Sequence, residues 1–364
     1  MMTNPAGSPI ITRLSLLALL TMTALPAAAQ VTLTQSADKI AVDIDGKPFT
    51  VFHTGGEDLN RVYLHPLRAA SGTVVNRSFP AGQVAGETVD HPHHAGLFYG
   101  HGDVNGLNFW AIQNVKRVPP AASAAPAAES RALPKAAGPA ATALTLGRIV
   151  AKGPVKVKSG KSTGTIDAVL TWLQPNGTPL LTETRKMTFH SHPELRIIDV
   201  DIDLAAIEKA EFRDTKEGTF ALRMATELEE IPKVVKPGAP RRTGTLTNAQ
   251  GGVGEANVWG KRSEWVDYAG QIGSEKVGVV MMDHPANPRH PTYWHSRGYG
   301  LHAINPFGEH DFLNDATKNG AMTIEPGQHV RFRYRVVVHP GLSADKIAAL
   351  YKAYTQSTGT SSSH

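Results

Sequence analysis

The sequence predicts an all-β protein, a large antiparallel β-sandwich with a short C-terminal helix. Short runs that alternate apolar and polar side chains recur along the chain, and pairs such as Asp-Gly, Asn-Gly and Pro-Gly separate several of them. Helical segments do not alternate with these runs, which argues against a parallel βαβ sheet. We see no repeat of fixed period, so a β-propeller is not expected.

The predicted strands begin with a hairpin near the start of the predicted mature chain. Lys39 to Ile44 alternates apolar and polar residues, and Asp45-Gly46 supplies a tight turn before Phe49 to Phe52. One helix is predicted from Ser343 to Tyr354, because Ser343 is a suitable N-cap and the apolar residues after it share one face. The remaining predicted strands are Val155 to Lys158, Thr165 to Trp172, Leu195 to Leu204, Val277 to Met282 and Val330 to Val338.

The N-terminus has the pattern of a cleaved secretory signal. Arg13 precedes an apolar run at 14–25, and small residues follow it up to Ala29. We therefore expect residues 1–29 to be a signal peptide and the mature protein to be periplasmic or secreted after cleavage near Ala29. The apolar run is too short for a spanning helix and nothing downstream is longer, so membrane insertion is not expected.

Composition suggests how the mature chain is divided. Residues 30–354 are predicted to form a single β-sandwich domain, since no segment between them reads as a domain boundary. Segment 119–141 is dominated by Ala, Pro and Ser and is predicted to be a flexible insert. Residues 355–364 are rich in Ser and Thr and are predicted to be a disordered tail.

The overall composition also excludes several functions. The chain contains no cysteine, which rules out disulfides, thiolate nucleophiles and cysteine-ligated metal sites. Its formal net charge of +5 comes without a dense cluster of Lys and Arg, so a nucleic-acid partner is not expected. No protein partner can be inferred from the sequence.

Two short segments, far apart in the chain, hold most of the residues that suggest chemistry. The first is Asp90 to Gly96, with three histidines, and the second is Tyr293 to Arg297, with a fourth, followed by Asn305 to Asp311. Histidine transfers protons near neutral pH and is also the commonest metal ligand in proteins. We expect the fold to bring the two segments into one site.

A third segment, Asp214 to Arg223, adds charged residues in front of and within a predicted strand. Alone it would most often be a solvated hairpin. Beside the two histidine segments, it becomes a candidate source of a carboxylate and of cations for the same site.

A metal site is an alternative use of the histidines. On a strand, His91 and His93 would share a face, and Asp90 or His295 could complete a three-ligand site with an open position. The chain lacks His-Glu-x-x-His and other specific metal signatures. No cofactor is therefore predicted, and a divalent metal ion stays an open alternative.

The motifs resemble those of the PmoA-like family of exported bacterial proteins. The matching segments are His91 to Leu97, Asp214 to Phe220 and Trp294 to Gly308, in the same order. The family is named after a methane monooxygenase subunit with several membrane spans, which this chain lacks, so methane oxidation is not inferred. The resemblance implies a β-supersandwich like that of galactose mutarotases and an association with carbohydrate degradation.

We predict an exported carbohydrate-active enzyme that acts on a sugar or glycoside through histidine-based general acid–base chemistry. Hydrolysis, elimination and epimerisation all need a proton donor and an acceptor, so all three stay open. The alternatives are a non-catalytic glycan-binding protein and a metal-dependent hydrolase or oxygenase with histidine ligands. The predicted catalytic residues are His93, His94, His295 and Glu217, and the predicted substrate-binding residues are His91, Trp110, Lys216, Arg223, Trp294, Arg297 and Asn305.

Overall fold

A computed structural model describes residues 30–55, 60–82, 84–112, 145–230 and 241–357. The predicted signal peptide at 1–29 and the predicted insert at 119–141 lie outside these residues, as does the chain after residue 357. In chain order the described strands are β1 (Val31–Gln35), β2 (Lys39–Ile44), β3 (Lys47–His53), β4 (Tyr63–Leu64), β5 (Leu97–His101), β6 (Leu107–Asn108), β7 (Thr145–Leu146), β8 (Arg148–Ala151), β9 (Lys156–Lys158), β10 (Thr163–Leu173), β11 (Pro179–His190), β12 (Arg196–Ala206), β13 (Ala210–Phe212), β14 (Gly218–Arg223), β15 (Thr245–Asn248), β16 (Arg262–Ser263), β17 (Trp265–Ile272), β18 (Glu275–Asp283), β19 (Thr292–Trp294), β20 (Leu301–Asn305), β21 (Met322–Ile324) and β22 (His329–His339).

These strands form two large antiparallel sheets. The first sheet has the order β1-β2-β3-β4-β5-β14-β20-β19-β16. The second has the order β15-β17-β18-β22-β12-β11-β10-β8, with β9 also paired to β10. Two small sheets join β13 to β21 and β6 to β7. The helical segments are a 3-10 turn (Thr226–Leu228), α1 (Glu255–Val258), α2 (Glu309–Leu313) and α3 (Ala344–Ser357).

The hydrophobic core lies between the two large sheets. Phe220 of β14 stacks on Tyr334 of β22 with ring centroids 4.9 Å apart. The ring centroid of Tyr99 of β5 lies 6.3 Å from that of Phe332, which also belongs to β22. All four rings are buried, and removing such a side chain from water contributes about 1.5–3 kcal/mol each. The predicted fold class, a large antiparallel β-sandwich with a short C-terminal helix, is confirmed.

The local predictions hold where the sequence alternates. Every predicted strand overlaps an observed one, and the predicted turn at Asp45-Gly46 joins β2 to β3 with φ values of 53° and 71°. Positive φ at both central residues is what a type I′ hairpin turn requires. At the C-terminus, α3 runs to Ser357, so the predicted tail starts too early at residue 355. Ile347 and Tyr354 bury the apolar face of α3 against the second sheet.

The first sheet carries a second, smaller apolar cluster on the face that points away from the core, here called the outer face. Phe98 of β5, Ala221 of β14 and Ala303 of β20 lie side by side in register. His295 continues this row, because its backbone N–H donates to the carbonyl of Ala303 at 2.9 Å. Side chains that lie opposite one another on paired strands point to the same face of the sheet. These four side chains therefore all lie on the outer face.

Among the described helices, none is long and apolar enough to cross a membrane.

Candidate functional site

Three side chains that the sequence places in separate segments meet on the outer face. The ligand atoms of His93, His94 and Glu217, here called the histidine–glutamate cluster, all lie within 4.8 Å of one another. The two histidines belong to the loop before β5, and Glu217 directly precedes β14, the neighbour of β5. The expectation that the first and third segments share one site therefore agrees with the geometry.

The loop before β5 folds back over the outer face, which is why its histidines reach Glu217. Gly96 permits the reversal, since it has a φ of +63° and a Cβ at this position would lie 2.3 Å from the carbonyl oxygen of Leu64. Beneath the loop, the His94 ring packs edge-on against Trp110 at 5.7 Å. Trp110 in turn packs on Phe98 at 4.9 Å, so the loop rests on the apolar cluster.

His94 is the most buried member of the cluster. Its ring is 1% exposed, and neither ring nitrogen has a hydrogen-bond partner among the residues described. Burial lowers its pKa well below the usual range, and the positive charges of neighbouring groups, including Arg223, add to the effect. The imidazole is therefore neutral and presents one N–H and one lone pair without partners.

The other two members lie closer to solvent. Burial lowers the pKa of His93 to about 3, with a further contribution from the nearby Arg61 charge. Burial raises the pKa of Glu217, against the opposing effect of Lys216, whose Nζ lies 3.7 Å from the carboxylate. The Glu217 side chain is 36% exposed, so the cluster opens to the surface on its side.

Asp90 links the histidine loop to two buried arginines. Its Oδ2 accepts a hydrogen bond from His91 Nδ1 at 2.8 Å. Its Oδ1 lies 2.8 Å from Arg77 Nη1 and 2.9 Å from Arg223 Nη2. Burial alone would raise the pKa of Asp90, but the His91 hydrogen bond and the arginine charges outweigh it and hold that pKa well below the usual range. Asp90 is thus an anion held between His91 and the two arginines.

Arg223, at the end of β14, and Tyr299, in the turn between β19 and β20, lie close to the cluster. Arg223 is fully buried, and its Nε and Nη1 have no hydrogen-bond partner in the described part of the chain. Its guanidinium lies 4.8 Å from the centre of the Tyr299 ring, which stacks on His91 at 5.3 Å. Burial raises the pKa of Tyr299 to about 12, so its hydroxyl stays protonated. Both residues offer hydrogen-bond donors at the site.

The second histidine segment adjoins the third segment. His295 Nδ1 donates to the backbone carbonyl of Lys216 at 2.7 Å, next to Glu217 in the chain. This bond fixes the tautomer and leaves the lone pair on Nε2. Burial lowers the pKa of His295 to about 3. His295 stands outside the histidine–glutamate cluster but on the same outer face.

Two predicted substrate-binding residues are placed differently. Trp294 is fully buried in the main core, and its indole N–H donates to the carbonyl of Ser263 at 2.9 Å. Asn305 is fully buried. Its Nδ2 donates to the carbonyl of Thr215 at 2.9 Å, and its Oδ1 accepts a hydrogen bond from the N–H of Phe307 at 2.8 Å. The polar atoms of both side chains are already bonded within the fold, which favours a structural role for both over the predicted substrate binding.

The other predicted substrate-binding residues lie at the site or its rim. Arg297 is 32% exposed, pairs with Glu255 at 2.7 Å and lies 5.8 Å over the Tyr299 ring. Trp110 is 2% exposed, so its ring supports the loop rather than presenting a flat face. Its indole N–H has no hydrogen-bond partner within the described ranges. Lys216 is about one third exposed beside Glu217.

The sequence interpretation missed three residues at the site. Arg61 donates to the carbonyls of His93 and Trp110 and lies 3.7 Å over the Phe98 ring, and burial lowers its pKa to about 9. Arg77 donates to the carbonyl of His91 at 2.8 Å. Both are solitary arginines without a motif, so the sequence carries no signal for them. Tyr299 follows Arg297 by two positions within the segment Trp294 to Gly308, and that position is the signal for it in the sequence.

The model of DUF6807, described as a family of unknown function, matches residues 39–352. This match corrects the resemblance to the PmoA-like family, which is wrong: the matching family is DUF6807, and nothing shows a PmoA-like domain. No curated protein matches the chain.

Several solved structures resemble the chain at low identity. A GH36 α-galactosidase from Geobacillus stearothermophilus has a TM-score of 0.38 and 11% identity, covering 85% of this chain and 40% of that one. A galactose mutarotase related enzyme from Lactobacillus acidophilus has a TM-score of 0.32 and 7% identity, covering 85% and 97%. A galactose mutarotase-like protein from Clostridium acetobutylicum has a TM-score of 0.33 and 8% identity, covering 85% and 95%. The chain spans 40% of the α-galactosidase, and likenesses at these scores carry no argument about function.

Proposed function

The chain belongs to DUF6807, a family of unknown function, and we propose that it is an exported carbohydrate-active enzyme with its site on the outer face of the first sheet. One observation carries the proposal. Buried polar atoms of His94, Trp110 and Arg223 lack hydrogen-bond partners in the described chain and gather around the histidine–glutamate cluster. Leaving such a group unpartnered costs about 1–3 kcal/mol, and a ligand rich in oxygen atoms would satisfy several at once.

A sugar suits this set of groups. Arg223, Arg297 and the Tyr299 hydroxyl offer hydrogen-bond donors around the loop, and sugar hydroxyls accept and donate hydrogen bonds in several directions. The charged donors would also bind a carboxylate or a carbonyl oxygen on an oxidised sugar. The site is therefore matched to a polyhydroxylated ligand that carries an oxygen with negative charge or partial negative charge.

His91 is the proposed proton-transfer group. Asp90 accepts a hydrogen bond from the Nδ1–H of His91, which orients the ring and leaves the lone pair on Nε2 to act as a base. The low pKa values of His93 and His94 make both imidazoles poor proton donors at neutral pH. We therefore assign proton transfer to His91, which the sequence interpretation placed among the binding residues, rather than to His93 or His94.

A non-catalytic glycan-binding protein is less well supported. Such a protein would present tryptophan faces on which the sugar stacks. Trp110 and Trp294 are 2% and 0% exposed, so neither provides that surface.

A substrate screen tests the proposal. Purified protein is incubated with oligosaccharides and with oxidised (keto) glycosides, and products are identified by mass spectrometry. We expect one class of sugar to be converted, and we expect His91→Ala to lose most of the turnover. His329→Ala is the matched control, since His329 is 66% exposed and pairs with Asp203 on the second sheet. Tight binding of a sugar without any product would reject the proposal that the protein is an enzyme. No binding of any sugar in the panel would reject the proposal that its ligand is a carbohydrate.

A further inference from the structure

We propose that His93, His94 and Glu217 bind a divalent transition-metal ion, with Zn²⁺ as the reference ion, and that the ion takes an oxygen anion of the substrate as a further ligand. The role of the ion in turnover rests on the proposed function, whereas its binding can be measured without any substrate.

The donor set is the first support. Two imidazoles and one carboxylate are ligands that catalytic zinc and other first-row metals use, with a position left open for water or substrate. The three ligand atoms lie within 4.8 Å of one another. Two metal–ligand bonds of about 2.1 Å span at most ~4.2 Å, so side-chain movements of under about 1 Å bring the set to bonding distance.

His94 is the second and independent support. A neutral imidazole at 1% exposure, with neither nitrogen hydrogen-bonded in the described residues, is an unusual arrangement for a core histidine. Coordination would use the lone pair of one nitrogen directly.

The surrounding backbone holds the ligands in place. Arg61 donates to the carbonyl of His93 and to that of Trp110, which ties the histidine loop to the outer face. Gly102 lies directly behind Glu217, since a Cβ there would meet the Cβ of Glu217 at 2.7 Å. The ligands therefore stand on a supported loop and at the start of a central strand, as a preorganised site requires.

The charges around the cluster determine what else the ion would bind. Arg61 donates to the carbonyl of His93, Arg77 donates to the carbonyl of His91, and Arg223 pairs with Asp90, so positive charge already surrounds the cluster. Asp90 and Glu229 pair with Arg223 and offset part of it. Adding a divalent cation leaves a local excess of positive charge, which favours an anionic oxygen on the open positions. A carboxylate or an ionised hydroxyl of a sugar meets this requirement.

Metal titration tests the site. Protein purified without a histidine tag is treated with chelator, dialysed and titrated with ZnCl₂ by calorimetry, with elemental analysis of the product. We expect about one equivalent of Zn²⁺ per chain, and at least about 100-fold weaker binding in Glu217→Gln and in His93→Ala. His329→Ala should bind as the wild type does and controls for surface histidines. Circular dichroism confirms the fold of each variant.

The outcomes separate this inference from the proposed function. Absence of Zn²⁺ binding, or full binding by folded Glu217→Gln and His93→Ala, overturns the metal site. Loss of turnover on chelation, restored by Zn²⁺ or another divalent metal, supports its role, and full turnover by metal-free protein refutes that role while leaving the proposed function intact. If the cluster binds one equivalent of metal but no sugar is converted, the metal site is supported and the proposed enzymatic function is rejected.

Discussion

At the scale of single residues, sequence adjacency was a poor guide to which side chains share a site. Trp294 and His295 are neighbours in the chain, but successive residues of a strand point to opposite faces. His295 therefore continues the outer-face row, while Trp294 pairs in register with Ile304 of the core. The alternation of side chains along a strand is enough to predict that Trp294 and His295 point to opposite faces. Arg61 and Arg77 could not have been found, because each acts from a loop whose path depends on the whole fold.

Asn305 yields a prediction about stability rather than binding. We expect Asn305→Ala to lower the free energy of unfolding by about 2–4 kcal/mol, since it leaves the carbonyl of Thr215 and the N–H of Phe307 without their buried partner. Asn319→Ala, at an exposed position with one local bond to Ala321, should change it by less than about 0.5 kcal/mol. Urea unfolding measures both. Equal stability of the two variants would contradict the structural role of Asn305.

At the scale of elements, the predicted strands include alternating ones and two that are buried throughout, one within Asp214 to Arg223 and one at Val277 to Met282. β2 alternates in burial as in sequence, and its hairpin was found with its turn. All six residues of β14 are buried, because this strand has the core on one face and the site on the other. A strand buried on both faces shows no period of two, so its sequence offers no signal of that kind.

The histidine loop depends on one glycine. We expect Gly96→Ala to destabilise the protein by more than about 1–3 kcal/mol, because alanine at this φ is strained and its Cβ would meet the backbone of Leu64. Gly46→Ala has a similar φ of +71° but nothing within 4 Å, and should cost only about 1 kcal/mol. Thermal unfolding compares the two variants. If Gly46→Ala were as damaging as Gly96→Ala, close packing of the loop would not be the cause.

The β12–β22 pair carries ion pairs that respond to pH. Asp199 lies 2.6 and 2.8 Å from Arg335 and 2.7 Å from His190. Burial opposes ionisation of Asp199, but these partners outweigh it and lower its pKa below the usual value for aspartate. A carboxyl group with a lowered folded-state pKa contributes stability above its unfolded pKa, and that contribution is lost as the pH falls through the folded value.

We therefore expect Asp199→Asn to cost about 1 kcal/mol of unfolding free energy at pH 7. The difference from wild type should shrink as the pH is lowered below the usual range of aspartate. Urea unfolding over a series of pH values measures the difference. A gap that stays constant or widens in acid would contradict the assigned ion pairs.

At the scale of the whole molecule, the fold places three segments of the chain over one face of a sheet. The sequence named His93, His94 and Glu217 because each sits in a dense local group of polar residues. Their meeting required the loop reversal at Gly96 and the pairing of β5 with β14, and neither follows from local spacing. The class of fold could be predicted from periodicity, whereas the candidate site depends on contacts that only the assembled sandwich creates.

The central claim is that the outer face of the first sheet is a carbohydrate-active centre built around the histidine–glutamate cluster. The most direct test measures product formation by mass spectrometry for wild type, His91→Ala, Glu217→Gln and His329→Ala on the sugar that the screen identifies. The account predicts that kcat falls by at least about 100-fold in the first two variants and is unchanged in the third. Product formation at the wild-type rate by folded His91→Ala and Glu217→Gln would contradict it.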